Sequence, residues 1–84
     1  MYRLIFISKD NKRYDFAEFG ALPHETVLDK LCGVVYIMQG FVPMHWNWKE
    51  DLLIDGQCLF NLNGVLTAIL SYNQENKTFV VRDI

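Results

Sequence analysis

The stretch Asp55-Gly56-Gln57-Cys58-Leu59-Phe60-Asn61-Leu62-Asn63-Gly64 decides the fold. It carries two turn dipeptides, Asp55-Gly56 and Asn63-Gly64, eight residues apart in an otherwise apolar run. Each can take positive φ at both central positions, as a type I′ turn requires, and that turn twists with the strands it joins. Together they predict tightly connected antiparallel strands: Glu50 to Ile54, Gln57 to Leu62, Val65 to Tyr72 and, after a polar turn at Asn73 to Lys77, Thr78 to Ile84.

Two-residue turns set the register, so the faces follow. Across Asn63-Gly64, Leu62 pairs with Val65, Phe60 with Thr67 and Cys58 with Ile69. Across Asp55-Gly56, Ile54 pairs with Gln57 and Leu53 with Cys58. One face then carries Leu53, Cys58, Phe60, Leu62, Val65, Thr67 and Ile69. The other carries Leu52, Ile54, Leu59, Leu66, Ala68, Leu70 and Tyr72, with Gln57 and Asn61 among them. A sheet with one wet face alternates apolar and polar residues; here both faces are largely apolar. One helix covers one face, so the second calls for a strong curl, the aromatic connection or another chain. Exposed apolar patches of that size mark partners.

Outward from the meander, Tyr2 to Ser8 reads as a strand apolar on both faces, fit for a central position. Asp10-Asn11-Lys12 turns the chain into a second strand, Arg13 to Phe19. Pro23 suits a helix start, and Glu25 complements the helix dipole. Val27, Leu28, Leu31, Val34, Val35 and Met38 follow one helical face, with Gly40 as a C-terminal cap and Pro43 blocking continuation. The spacing predicts a helix from Pro23 to Gln39. The competing reading ends it at Cys32 and makes Val34 to Met38 a strand, because Val34, Val35, Tyr36 and Ile37 are β-formers. The fold class is therefore α+β. It comprises an N-terminal β-hairpin, one α-helix and a C-terminal antiparallel four-strand meander, as a strongly curled sheet or small half-barrel, in one domain spanning 1–84.

The 84 residues are 51% hydrophobic and 21% charged, a globular composition, with a net charge of −2. Sequence-independent nucleic-acid binding needs clustered cations. The only basic cluster, Lys9, Lys12 and Arg13, is interrupted by Asp10. No cationic segment precedes an apolar one at the start and no apolar run reaches about 18 residues, so the expectation is a cytoplasmic protein with no membrane contact and reduced cysteines.

Aromatic residues make up 14% of the chain, and the densest string is Phe41 to Trp48. In His45-Trp46-Asn47-Trp48 an extended backbone points both tryptophans one way. Trp is enriched at binding hot spots, so Phe41, His45, Trp46 and Trp48 are the candidate partner-binding residues. The alternative packs both rings over the sheet. Cys32, Cys58, His24 and His45 are zinc-ligand types, but they lack any C-x₂₋₄-C or H-x₃₋₅-H spacing. A thiol nucleophile needs a base within reach; His24 lies over two helical turns from Cys32, about 12 Å, and His45 reaches a thiol only through tertiary contact. No phosphate-binding glycine loop is present. The chain reads as a non-catalytic protein–protein interaction module, of adaptor, regulator or inhibitor type, with no cofactor and no metal. Its partner is another protein or a second copy, bound through the aromatic loop and the uncovered sheet face. The alternatives are a small enzyme or ligand-binding domain using His45 with Cys32 or Cys58, and a single-stranded nucleic-acid binder using Trp stacking and the Lys9, Lys12, Arg13 tip.

Overall fold

The computed structural model describes residues 1–84. Eight elements follow in order: β1 (Tyr2–Ile7), β2 (Arg13–Phe19), α1 (His24–Gln39), β3 (Val42–Pro43), α2 (Trp48–Asp55), β4 (Gln57–Leu62), β5 (Val65–Asn73) and β6 (Thr78–Asp83). They build an α+β fold, a six-stranded sheet in the order β2-β1-β6-β5-β4-β3. The sheet is mixed. β1 and β2 form the N-terminal hairpin, α1 carries the chain to the far edge, and β4-β5-β6 walk back until β6 lies parallel to β1. The apolar run Leu4, Ile5 and Phe6 is buried because β1 sits between β2 and β6. The sheet stays open, ending at β2 on one side and β3 on the other, rather than curling into a half-barrel.

The long helix prevails over the helix-then-strand reading. Pro23 stands at its N-cap, Glu25 lies in its first turn, and Gly40 ends it at φ 75 with its N–H donating to the Tyr36 carbonyl. That left-handed cap costs glycine little and any other residue more. Val27, Leu28, Leu31 and Val35 are buried on the sheet side.

The expected strand from Glu50 to Ile54 is instead a second helix, α2. Asp55-Gly56 is its C-terminus: Gly56 takes φ 73 and its N–H donates to the Leu52 carbonyl at 3.1 Å. A type I′ turn and a helix C-cap both need positive φ, so the same dipeptide serves either. Lys49, Glu50, Leu52 and Leu53 are good helix formers, and Glu50 and Asp51 sit in the first turn where the dipole favours acids. Only Leu52 of the eight residues is buried, so no strong periodicity marks the helix in the sequence. The antiparallel meander accordingly has three strands, not four.

Asn63-Gly64 does form its two-residue turn, with φ of 53 and 82. Leu62 pairs with Val65 and Asn61 with Leu66. The next pair is Phe60 with Ala68, because Thr67 is an extra residue in a β-bulge. Its hydroxyl donates to the Val65 carbonyl at 2.7 Å, and its carbonyl accepts the Ile84 N–H at 2.9 Å. A one-residue slip reverses every face beyond it. Cys58, Phe60, Ala68, Leu70 and Tyr72 therefore share a face with Phe79 and Val81 of β6 and with Leu4 of β1. Both helices cover that face, and these residues join Val27, Leu31, Val35 and Leu52 in one core. The opposite face carries buried Ile5 and a half-buried stripe of Ile7, Leu59, Ile69 and Val80 among Gln57, Ser71 and Arg82. The expectation of two largely apolar faces gives way to one core face and one mixed face. A second bulge, at Phe16 between β1 and β2, brings that ring to stack on Phe6 at 5.2 Å.

Candidate interaction surface

The connection from Gly40 to Trp48 is ordered by the edge of β4. Val42 and Pro43 pair with Asn61 and Phe60, and the Met44 N–H donates to the Leu59 carbonyl at 2.9 Å. Asn61 Nδ2 donates to the carbonyls of Val42 and Pro43 at 3.1 and 3.3 Å, while its Oδ1 accepts the Gly64 N–H at 2.9 Å. One side chain thus ties β3 to the β4–β5 hairpin.

This anchoring divides the four candidate residues. Phe41 is 5% exposed and belongs to the core, which removes it from any contact surface. Trp48 opens α2, half-buried, with its ring edge-on to Phe60 at 6.3 Å and Lys49 Nζ 5.7 Å from its centroid. Trp46 is 91% exposed and His45 is exposed beside it. Two rings fold inward and two side chains face solvent, because β3 pairing turns Phe41 under α1 and the start of α2 turns Trp48 onto the sheet.

Tertiary contact does gather His45, Asp51, Asp55 and Cys58 around a shallow concavity of about 250 Å³. Cys58 is buried, and desolvation, with Asp51 and Cys32 adding to it, pushes its thiol up to about 12. Cys32 is also raised, by burial first and then by Asp29. Both are free thiols that stay protonated at neutral pH, and the thiolate is the nucleophile. No three His, Cys, Asp or Glu side chains stand close enough together to hold a metal ion.

A second cleft, of about 310 Å³, lies between His24, Lys49, Leu52, Leu53, Tyr72 and Gln74. Lys49 Nζ donates to Asp29 at 2.6 Å and to Glu25 at 3.5 Å, and these bonds, led by Asp29, raise its pKa. The lysine clasps α2 to α1. His24 packs in an aromatic group with Tyr2, Tyr72 and Phe79, the last two stacked at 4.4 Å. At the β1–β2 turn Lys12 pairs with Asp10 at 3.7 Å and Arg13 with Asp15 at 3.8 Å, so acids offset two of that tip's three cations.

The largest concavity, about 680 Å³, opens between the last turn of α1, β3 and the tip of the β4–β5 hairpin. Tyr36, Ile37, Met38, Val42 and Leu62 line it, with Gln39, Asn61 and Asn63 and no charged residue. All five apolar side chains are exposed, Ile37 to 79%. Met38 falls on the inward stripe three residues after Val35 and is exposed nonetheless, so the last turn has run past the sheet that covers the rest of α1. Gly40 lies beside Leu62: a Cβ there would make an ordinary contact with Leu62 Cδ1 at 3.5 Å. Tyr36 and Ile37 were legible only as β-formers in a helix. Their position off the stripe is the signal that points to this surface.

No family model matches this chain, and no curated protein or solved structure is significantly similar to it.

Proposed function

We propose that this protein is a non-catalytic protein–protein interaction module, of adaptor, regulator or inhibitor type, that binds through the groove between the end of α1 and the β4–β5 hairpin. One observation carries the reading: an uncharged concavity with five exposed apolar side chains stands open on a braced part of the fold. Small monomeric proteins rarely leave such a patch uncovered. Trp46 supplies a second exposed anchor of the residue type most enriched at hot spots. The raised thiols of Cys32 and Cys58 weigh against the alternative of a thiol nucleophile.

The test is a photo-crosslinking residue placed singly at Ile37, at Trp46 and, as a control, at the exposed polar Glu75, in cells that make the protein. Discrete adducts from position 37 that the control does not give are expected. An Ile37 probe that behaves like the Glu75 control would overturn the reading.

A further inference from the structure

We propose that Asn63, at the tip of the β4–β5 hairpin, is a self-acting modification site that turns slowly into aspartate and isoaspartate, and that the Asn61 carboxamide sets its rate. An asparagine side chain can be attacked by the backbone nitrogen of the residue that follows it. A following glycine, with no Cβ, hinders that approach least. Asn63 is the one asparagine of this chain that precedes glycine. Both residues are exposed to water, and a Cβ added at Gly64 would meet nothing within 4 Å. The side-chain hydrogen bonds of residues 61–64 all belong to Asn61, so the Asn63 carboxamide is free to react.

The Gly64 nitrogen gives its proton to water or hydroxide and bonds to Asn63 Cγ. The Cγ–Nδ2 bond breaks, and the amide takes up a proton and leaves as ammonia. Water then opens the cyclic imide. Opening at Cγ gives aspartate; opening at the Asn63 carbonyl carbon gives isoaspartate, with Gly64 joined through the side chain. Either product sets a carboxylate in a groove lining that holds no charge. Isoaspartate also inserts a methylene into a two-residue turn whose residues hold φ of 53 and 82.

The nucleophile is latched. The Gly64 N–H donates to Asn61 Oδ1 at 2.9 Å, and Asn61 is itself oriented by the carbonyls of Val42 and Pro43. That bond must break before the nitrogen turns to Asn63, so the reaction is slowed by the worth of one hydrogen bond.

The test holds folded wild type, Asn61→Ala and Asn61→Asp at mildly alkaline pH. Peptide mapping by mass spectrometry follows both products at position 63. Asn61→Ala removes the acceptor and is expected to react about threefold to tenfold faster than wild type. Asn61→Asp keeps an acceptor for the Gly64 N–H but loses the bonds to Val42 and Pro43, and is expected to stay near the wild-type rate. Asp55-Gly56 isomerises through the same kind of imide and is the internal control, because the Leu52 carbonyl holds the Gly56 N–H in all three proteins. Its rate is expected not to change. Equal acceleration in both variants, or acceleration at Asp55 together with Asn63, marks a loosened fold and overturns the latch. An Asn63 that stays intact in folded Asn61→Ala, while the urea-unfolded chain reacts, overturns the site.

Discussion

Truncating Leu70 and Ile69 in parallel tests the register that the Thr67 bulge creates. Leu70 is 0% exposed and faces Cys58 on one side and Val81 on the other, beneath the helices. Leu70→Ala removes three carbons from a closed core. At ~0.8 kcal/mol per methylene the transfer loss is about 2.4 kcal/mol, and an unfilled cavity adds to it, giving about 3–4 kcal/mol. Ile69 faces Leu59 and Arg82 on the side that no helix covers, and it is only half-buried. Water reaches the space its side chain leaves, so Ile69→Ala loses about 1 kcal/mol, roughly half the transfer loss with no cavity. A domain of this length has about 5–10 kcal/mol to lose. With an m value near 1 kcal/mol per molar urea, the midpoints fall by about 3 M for Leu70→Ala and about 1 M for Ile69→Ala. Tryptophan fluorescence reads the transition well: Trp48 sits against Phe60 and reports the core, while Trp46 is in water throughout. The uninterrupted register pairs Ile69 with Cys58, on the same face as Phe60. An Ile69→Ala variant that costs as much as Leu70→Ala would therefore refute the bulge and the face assignment built on it.

Three further outcomes follow from local geometry. Gly33→Ala stabilises by about 0.5–1 kcal/mol in a thermal melt, because Gly33 is an open helix-interior position, whereas Gly40→Ala destabilises by about 1–2 kcal/mol, because Gly40 holds φ 75. Phe41→Ala costs about 3–5 kcal/mol from the core, while Trp46→Ala leaves the melting curve within about 0.5 kcal/mol of wild type. Because the folded-state pKa of Cys58 is raised to about 12, its protonated thiol supports folding fully below the ordinary thiol range. That contribution fades as pH climbs through it towards 12, so Cys58→Ala flattens the alkaline loss of stability seen in pH-dependent urea melts.

Some elements were legible because a single local rule determines them. The β1 run is apolar on both faces and lies inside the sheet. Gly40 closes α1 where a C-cap glycine should. Asn63-Gly64 turns with both residues at positive φ. The rest depended on choices that local chemistry leaves open. Asp55-Gly56 satisfies a hairpin and a helix end equally, and α2 buries too little to declare itself. Thr67 bulges because its carbonyl takes the Ile84 N–H from another strand, a contact 17 residues away that no window along β5 contains. The parallel pairing of β6 with β1 joins opposite ends of the chain. The same division holds at the surface. Trp46 and Trp48 differ by two residues and look alike in sequence, yet the start of α2 sends only Trp48 inward.

The bulge also relocates the surplus of apolar surface. An unbroken register spreads apolar residues over both faces of the meander and leaves a whole sheet face seeking cover. With Thr67 set aside, Cys58, Phe60, Leu70, Phe79 and Val81 collect beneath the helices, and the opposite face keeps buried Ile5 and a half-buried stripe broken by Gln57, Ser71 and Arg82. The surplus does not vanish; it moves to where secondary structure outruns its cover. The last turn of α1 and the hairpin tip stand at the groove together, with Tyr36, Ile37, Met38, Leu62 and Val65 uncovered. A face left open by a mistaken register is an artefact of pairing. A groove left open between two well-capped ends, with Gly40 closing one and Asn63-Gly64 turning the other, is a property of the fold. That difference moves the expected contact from the sheet face to the end of α1.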